Sequence, residues 1–327
     1  MPTLLNKSSV FWVLGIVLSF ALGSFVTKLL VSDQQRFTLQ SLTSTELRES
    51  GYTFINPLLE CEYTNNQGNT KLKTLRDTVE SIVKNYPNQH VSLYYRDLVN
   101  GPWYGFNEDE TFSPQSLFKL PIIIAYLKLA DENPNILDDL IEYNQEEPSN
   151  LNDDDKLVVG ESYTVEYLIQ RTIQESDNVA FSLLVGHIPL KFAEKVHSDL
   201  NIPYPKAETP TDFVSVREYS SIFRVLYNSS YLSRKNSEYL LALMSNTEFN
   251  QGLRAGVPDA IAVSHKFGIK NPSEESSLSQ LHDCGVIYHS KSPYILCVMT
   301  KGEVQADQPD IIKELSSEVY KVIDSQK

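Results

Sequence analysis

The chain has 327 residues, of which 41% are hydrophobic and 21% charged, enough to fill the core of one large domain or two ordinary ones. Its 28 Lys and Arg stand against 42 Asp and Glu, a net charge of -14, which excludes the basic surface of a nucleic-acid-binding protein. With 13 Gly and 16 Pro it is not a low-complexity chain, and three cysteines without CxxC spacing exclude a disulfide scaffold and a cysteine-based zinc site.

The amino-terminal segment predicts a membrane anchor. Residues 10–27 read VFWVLGIVLSFALGSFVT without a charge, and apolar residues continue past Lys28 to Val31, which is long enough to span a bilayer. A cleaved signal peptide is the alternative, because Lys7 precedes the apolar run and Ala21 to Gly23 form a small-x-small site. Either interpretation places the rest of the chain outside the cytoplasm.

We expect a single-pass protein of the cell membrane, with its catalytic domain extracellular or periplasmic. The expected divisions are a cytoplasmic tail at 1–9, a transmembrane anchor at 10–31, a juxtamembrane stalk at 32–65 and a folded domain at 66–327.

Hydrophobic periodicity predicts the elements of that domain. In chain order they are a helix at 70–86, strands at 91–98 and 103–107, helices at 115–130 and 164–175, a two-part helix at 214–244, strands at 261–269, 284–289 and 294–300, and a helix at 309–323. This order favours an α/β fold of the α+β type, in which helices flank an antiparallel sheet and the central helices form a second lobe.

Two of the cysteines are predicted to face each other. Cys284 and Cys297 lie at equal distances from the turn between the last two strands, so a two-strand register places them opposite one another. A disulfide between them is a hypothesis, and two buried thiols are the alternative.

Three short motifs carry the chemistry. They are Ser116-Leu117-Phe118-Lys119, which reads SxxK, then Ser176-Asp177-Asn178, which reads SDN, and then Lys266-Phe267-Gly268. The first stands at the start of an apolar helix, where positions three apart share a face, so an amine lies beside a hydroxyl. A serine hydroxyl needs such a base before it can attack an amide.

In these motifs the chain resembles the class A β-lactamases and the penicillin-recognising serine hydrolases, whose signature is SxxK, SDN and KTG. The resemblance extends over roughly residues 66–325. It implies a β-lactamase/DD-peptidase-like fold with a five-stranded antiparallel sheet beside a helical lobe. It also implies acyl transfer without a cofactor or metal.

The resemblance assigns a role to each matching position. Ser116 would be the nucleophile, Lys119 its base and Ser176 the proton relay to the leaving nitrogen. Lys266 would order Ser176 and attract a substrate carboxylate, and Asn178 would bind the substrate amide. Gly268 would lie beside the substrate, and the backbone N-H groups of Ser116 and Ile269 would form the oxyanion hole.

The chain departs from the family in three ways. Phe267 replaces the threonine of KTG and has no hydroxyl, and no arginine follows Arg254 to hold a substrate carboxylate, for which His282 or Lys270 are the alternatives. The ExxLN loop, whose glutamate activates the deacylating water, is also absent. Its place is taken by IPYPKAETPTDF, in which only Glu208 and Asp212 are possible bases. Glu208 is the candidate deacylation base, and an exposed loop carboxylate is the alternative interpretation.

Other catalytic classes lack their motifs here. The six histidines form neither HExxH nor HxHxD, and the chain has no GxSxG elbow and no Walker loop. We therefore expect a membrane-anchored serine hydrolase that opens β-lactam amides through a Ser116 acyl-enzyme, with poor deacylation. The alternatives are a cell-wall peptide carboxypeptidase or amidase and a non-catalytic ectodomain that binds penicillin or peptidoglycan.

Overall fold

The computed structural model describes residues 51–57, 66–145, 148–152, 156–273 and 276–325. The predicted tail and anchor lie outside these residues. Within them, none of the helices combines the length and hydropathy that a bilayer-crossing segment needs.

The predicted elements occur in the predicted order, and the structure adds two helices, at 178–187 and 190–199, that the periodicity did not indicate. The strands are β1 Gln89–Asp97, β2 Trp103–Phe106, β3 Thr111–Phe112, β4 Leu140–Glu142, β5 Ser162–Thr164, β6 Val214–Ser215, β7 Val263–Lys270, β8 Ser279–Ile287 and β9 Tyr294–Gly302. The α-helices are α1 Asn66–Val83, α2 Lys119–Glu132, α3 Val165–Gln174, α4 Asn178–His187, α5 Leu190–Asp199, α6 Val216–Tyr227, α7 Arg234–Ser245 and α8 Asp307–Asp324. Short 3-10 helices cover Gln115–Phe118, Pro134–Asp138 and Leu253–Gly256.

Five strands form one antiparallel sheet in the order β2-β1-β9-β8-β7, which confirms the predicted sheet. Strand β8 begins at Ser279, five residues before the expected start. The polar residues His282 and Asp283 interrupt its apolar run, yet both are fully buried, so hydropathy alone hides the first half of the strand. Two further two-stranded pairs, β3 with β6 and β4 with β5, are too short to leave a periodic pattern.

The predicted register of the last two strands is confirmed, because Cys284 lies directly opposite Cys297. Both cysteines are fully buried and they form a disulfide. Of the two alternatives, the structure therefore has the disulfide rather than the pair of thiols.

The sheet packs between two hydrophobic layers. On one face, α1 and α8 contribute buried residues that include Leu75, Val79 and Leu315. On the other face lies the helical lobe, in which α2 is buried from Lys119 to Leu127. A helix that is apolar all round belongs in the centre of its layer, so the sequence of α2 places the start of this helix inside the protein.

Capping residues set the helix boundaries near the motifs. Thr164 caps α3 by accepting a hydrogen bond from the Tyr167 N-H at 3.2 Å. Ser215 and Glu218 form a capping box at the start of α6.

Part of the predicted stalk packs on the folded domain. The backbone N-H groups of Thr53, Phe54 and Ile55 donate to the Glu238 carboxylate at 2.7 to 3.1 Å, and Ile55 is fully buried in the core. The segment 51–57 therefore belongs to the domain in the structure, although no periodic pattern in the sequence indicates it.

Candidate active site

The predicted nucleophile, Ser116, lies in the 3-10 helix Gln115–Phe118, which runs directly into α2. Leu117 is fully buried, and its carbonyl accepts a hydrogen bond from the Tyr219 hydroxyl at 2.9 Å. Gln115 has a left-handed φ of 48°, a conformation that costs energy in a residue with a Cβ. These constraints fix the backbone around Ser116, whose side chain is half-buried.

Lys119 is 3% exposed and joins the first two motifs. Its ammonium group donates to the Ser176 carbonyl, to Ser176 Oγ at 3.3 Å and to Asn178 Oδ1 at 2.7 Å. Among the described residues, Ser116 Oγ has no hydrogen bond to this amine. Catalytic hydrogen bonds of this kind often close only when substrate binds.

Ser176 is the point at which all three motifs meet. It is 5% exposed, has a left-handed φ of 56°, and its Oγ accepts a hydrogen bond from Lys266 Nζ at 2.9 Å. Two amines therefore donate to one hydroxyl oxygen, so the hydroxyl proton of Ser176 remains available to a third partner. The structure thus brings together Lys119, Ser176, Asn178 and Lys266, which we call the lysine-serine cluster.

Burial shifts the ionisation of both lysines. It lowers the pKa of Lys119 to about 8, an effect that the nearby Asp177 carboxylate opposes. Burial lowers the pKa of Lys266 well below its usual range, and the charge of Lys119 acts in the same direction. A pKa of about 8 leaves about a tenth of the Lys119 side chain neutral at pH 7, and a neutral amine can accept a proton.

Asp177, the middle residue of SDN, holds the loop in place. Its Oδ1 caps α4 by accepting from the N-H groups of Val179 and Ala180, and its Oδ2 pairs with Arg171 Nε at 2.8 Å. Removal of this buried carboxylate would leave the Arg171 charge in a poorly solvated position.

Asn150 contacts the same loop, and the sequence analysis missed it. Its Nδ2 donates to the Ser176 carbonyl at 3.2 Å, and its Oδ1 accepts from the Asn178 N-H at 2.8 Å. The side-chain amide therefore supports the left-handed turn from both sides. Asn150 lies in an irregular segment 26 residues before Ser176, and no spacing rule connects the two positions.

Gly268 lies against the backbone around Ser116. A Cβ added at Gly268 would lie 2.9 Å from the Pro114 carbonyl oxygen and 3.3 Å from the Ser116 nitrogen, so a side chain would force the two segments apart. The next residue, Ile269, is 42% exposed. The two backbone segments that the resemblance assigns to the oxyanion hole are therefore adjacent.

The positions that depart from the family pattern lie as follows. Phe267 is half-buried, and its ring stacks on that of Phe249 with centroids 4.2 Å apart. His282 is fully buried, donates to the Ser113 carbonyl at 2.9 Å and has its pKa lowered to about 4 by burial. The lowered pKa favours the neutral form at pH 7, which argues against His282 as the alternative cation for a substrate carboxylate.

Glu208, the candidate deacylation base, is exposed in a turn. Within the described part of the chain it hydrogen-bonds to none of the residues of the lysine-serine cluster. Its role stays a prediction.

Comparison with known proteins places the chain among serine hydrolases. The sequence model of the beta-lactamase enzyme family matches residues 74–323, well over half of the chain. The beta-lactamase VEB-1 of Pseudomonas aeruginosa is 23% identical over 241 residues, which cover 66% of this chain and 78% of that protein.

Solved structures share the fold. A class A beta-lactamase from Bacteroides cellulosilyticus superposes with a TM-score of 0.69 and 20% identity, covering 78% of this chain and 99% of that one. The structure of PBP-A gives a TM-score of 0.67 and 20% identity, covering 77% and 97% of the two chains. A class A beta-lactamase from Mycobacterium abscessus, 22% identical, covers 77% of this chain and 100% of that one with a TM-score of 0.66.

Proposed function

The chain belongs to the beta-lactamase enzyme family, class A-like serine hydrolases, and from this premise we propose that it opens β-lactam amides by acyl transfer to Ser116 and releases the acyl group slowly. The observation that carries the proposal is the convergence of Lys119 and Lys266 on Ser176 Oγ. This arrangement supports Lys119 as the base and Ser176 as the proton donor for the predicted nucleophile Ser116, which lies three residues before Lys119.

The proposed acylation begins with proton transfer from Ser116 to the neutral amine of Lys119. Ser116 Oγ then forms a bond to the lactam carbonyl carbon, and the oxygen charge that develops is stabilised by the backbone N-H groups of Ser116 and Ile269. When the C-N bond breaks, Ser176 gives its hydroxyl proton to the leaving nitrogen and recovers one from Lys119 or Lys266. The products are a Ser116 ester and an opened ring.

The positions of the loop carboxylates support the proposed slow release. Hydrolysis of the ester needs a base that activates water beside Ser116. The two carboxylates of the loop at 201–213 do not supply it through the described hydrogen bonds. Glu208 is exposed, and Asp212 pairs with Gln280 at 3.0 Å and Lys301 at 3.2 Å.

The test is covalent labelling of the domain by benzylpenicillin, followed by intact mass. We expect a stoichiometric adduct that maps to Ser116 and disappears in Ser116→Ala. The matched control is Ser113→Ala, because that buried hydroxyl lies three residues away and accepts only from Gln115 Nε2 among the described contacts. Labelling that persists in a folded Ser116→Ala variant would refute the assignment.

A second candidate is a cell-wall peptide carboxypeptidase or amidase, which uses the same acylation residues. The exposed position of Glu208 favours it, because the carboxylate that a fast β-lactamase needs is not found against the lysine-serine cluster in the described residues. Release of D-alanine from a peptide that ends in D-Ala-D-Ala would support this reading. If neither an adduct nor D-alanine is detected, the remaining alternative is a non-catalytic ectodomain that binds penicillin or peptidoglycan.

We also propose that residues 10–31 anchor the domain to the membrane, with the active site on the outer side. The uncharged apolar run of this segment supports the proposal. Protease treatment of intact cells should degrade the domain and leave a membrane-bound amino-terminal fragment. A mature chain that begins near Gly23 would instead support a cleaved signal peptide.

A further inference from the structure

Two aromatic rings, those of Phe249 and Phe267, stand beside the lysine-serine cluster, and we call them the aromatic wall. Their centroids are 4.2 Å apart with an interplanar angle of 16°, so each ring fixes the other. The Phe267 centroid is 4.7 Å from Lys266 Nζ, and that amine is 2.9 Å from Ser176 Oγ. The wall therefore adjoins the groups that would protonate the leaving nitrogen.

The cations near the wall already have partners. Lys119 and Lys266 both donate to Ser176, and Lys119 also donates to Asn178. The Arg254 guanidinium donates to three carbonyl groups and one carboxylate oxygen in the turn that follows it, at 3.0 to 3.2 Å; its partners are Val257, Pro258 and Asp259. Lys270 lies three residues beyond Phe267, about 10 Å further along the strand.

A buried negative charge lies behind the wall. Asp283 is opposite Phe267 in the β7-β8 register and is fully buried. One of its oxygens is 2.7 Å from His265 Nδ1, and the other accepts from the Leu253 N-H at 2.8 Å. Both oxygens are therefore already engaged, and a carboxylate offers no hydrogen-bond donor to a substrate anion.

An apolar surface continues from the wall along β7. Ile269 lies two residues after Phe267, on the same side of the strand, and is 42% exposed. A phenyl ring and an alkyl side chain offer no donor to an anion, and an anion placed against them loses water without gaining hydrogen bonds. A neutral apolar group placed there loses no hydrogen bonds to water, and the contact removes apolar surface from water.

We propose that the aromatic wall selects substrates in which the group next to the reacting amide is neutral and apolar rather than a carboxylate. The inference rests on the proposed function, because it concerns the substrate group that lies beside Ser116 when acylation occurs. Phe267 acts as a specificity-determining residue, and Phe249 is the positioning residue that holds its ring.

The test compares benzylpenicillin with its methyl ester, two probes in which the group next to the lactam nitrogen is either a carboxylate or a neutral ester. The measured quantity is the second-order rate of adduct formation at Ser116, followed by intact mass. For the natural sequence we expect the ester to react at least as fast as the acid. Phe267→Thr, which restores a hydroxyl, should lower the ester-to-acid ratio at least tenfold by accelerating the acid.

Two further variants keep the test decisive. If Phe267→Thr does not fold, Phe249→Ala releases the ring of Phe267 and should lower the ratio at least threefold. The control is Lys321→Ala, an exposed lysine of α8 whose amine pairs with Glu318, and in this variant we expect the ratio to stay within twofold.

The inference is overturned if the acid reacts at least tenfold faster than the ester and Phe267→Thr leaves the ratio unchanged, and equally if Lys270→Ala abolishes a preference for the acid. In both cases Ser116 is still acylated, so the proposed function survives. If neither probe acylates Ser116, the proposed function itself fails and the inference fails with it.

Discussion

The residues proposed to form the acyl bond and the loop expected to break it are built differently. In the lysine-serine cluster, Lys119, Ser176 and Lys266 are all buried, and each is held by hydrogen bonds to another motif. In the loop at 201–213, Glu208 is exposed, and Asp212 is bound to residues of β8 and β9. Burial lowers the pKa of both lysines.

The difference matters because the same Ser116 ester must be formed and then hydrolysed, and the two steps need different groups. Acylation requires a base and a proton donor at fixed positions, and buried lysines with lowered pKa values meet that requirement. Deacylation requires a base that holds water beside Ser116. A protein with the first arrangement and not the second accumulates its covalent intermediate. Substitutions in the lysine-serine cluster should therefore slow formation of the adduct, whereas substitutions in the loop should leave its lifetime unchanged.

The largest effect is expected from Lys119→Ala. Loss of the proposed base should slow acylation by about 10²- to 10⁴-fold. The measurement is the rate of adduct formation with benzylpenicillin, compared with Lys128→Ala on the same helix, where the amine donates to the Tyr231 carbonyl instead. An unchanged rate in Lys119→Ala would assign the proton transfer to Lys266 or to water.

The pH dependence of acylation is the next largest effect. Only the neutral amine of Lys119 accepts a proton, and its pKa is lowered to about 8, so the rate should rise with pH and level off above that value. Below it, the rate should increase about tenfold per pH unit. The methyl ester of benzylpenicillin is the suitable probe, because it does not titrate in this range. A flat profile from pH 6 to 9 would contradict the role of Lys119.

Asn150→Ala should have a smaller effect on the same step. The variant loses two hydrogen bonds to the loop that carries Ser176 and Asn178, each worth about 0.5 to 1.5 kcal/mol, and we expect acylation about tenfold slower. Asn152→Ala, an exposed neighbour, is the control. A lower melting temperature with an unchanged acylation rate would limit Asn150 to a structural role.

The smallest effect is expected in the loop. Glu208→Gln should leave the lifetime of the acyl-enzyme within about twofold, because this exposed carboxylate makes no hydrogen bond to the lysine-serine cluster among the described residues. Glu161→Gln, another exposed carboxylate, is the matched control. A lifetime at least tenfold longer in Glu208→Gln alone would make Glu208 the deacylation base and remove the contrast between the two regions.

Much of the fold was predictable because its elements are long and periodic. The helices α1 and α8 and the strands β1, β7 and β9 each carry a clear pattern. The start of β8 was hidden by His282 and Asp283, two polar residues that are buried in the core. There His282 Nε2 donates to the Ser113 carbonyl, and the Asp283 carboxylate contacts His265. Segment 51–57 could not be placed, since its attachment depends on the Glu238 carboxylate far along the chain.

The active site was predictable to the extent that short motifs encode it. Ser116, Lys119, Ser176, Asn178 and Lys266 stand in three local patterns with a fixed order. Asn150 and Phe249 reach the same site from irregular segments, and their partners are set by the tertiary fold alone. The left-handed backbone of Ser176 also leaves no trace in composition, because serine adopts it only when its surroundings require it.

The central claim is that acylation is retained while release is slow, and one time course tests it most directly. The protein is mixed with a chromogenic cephalosporin, and intact mass and colour are followed together for several hours. We predict one covalent adduct per molecule, formed early and still present at the end, with colour close to one equivalent. Many equivalents of colour without a lasting adduct would contradict the claim and would mean that a base for deacylation is in place.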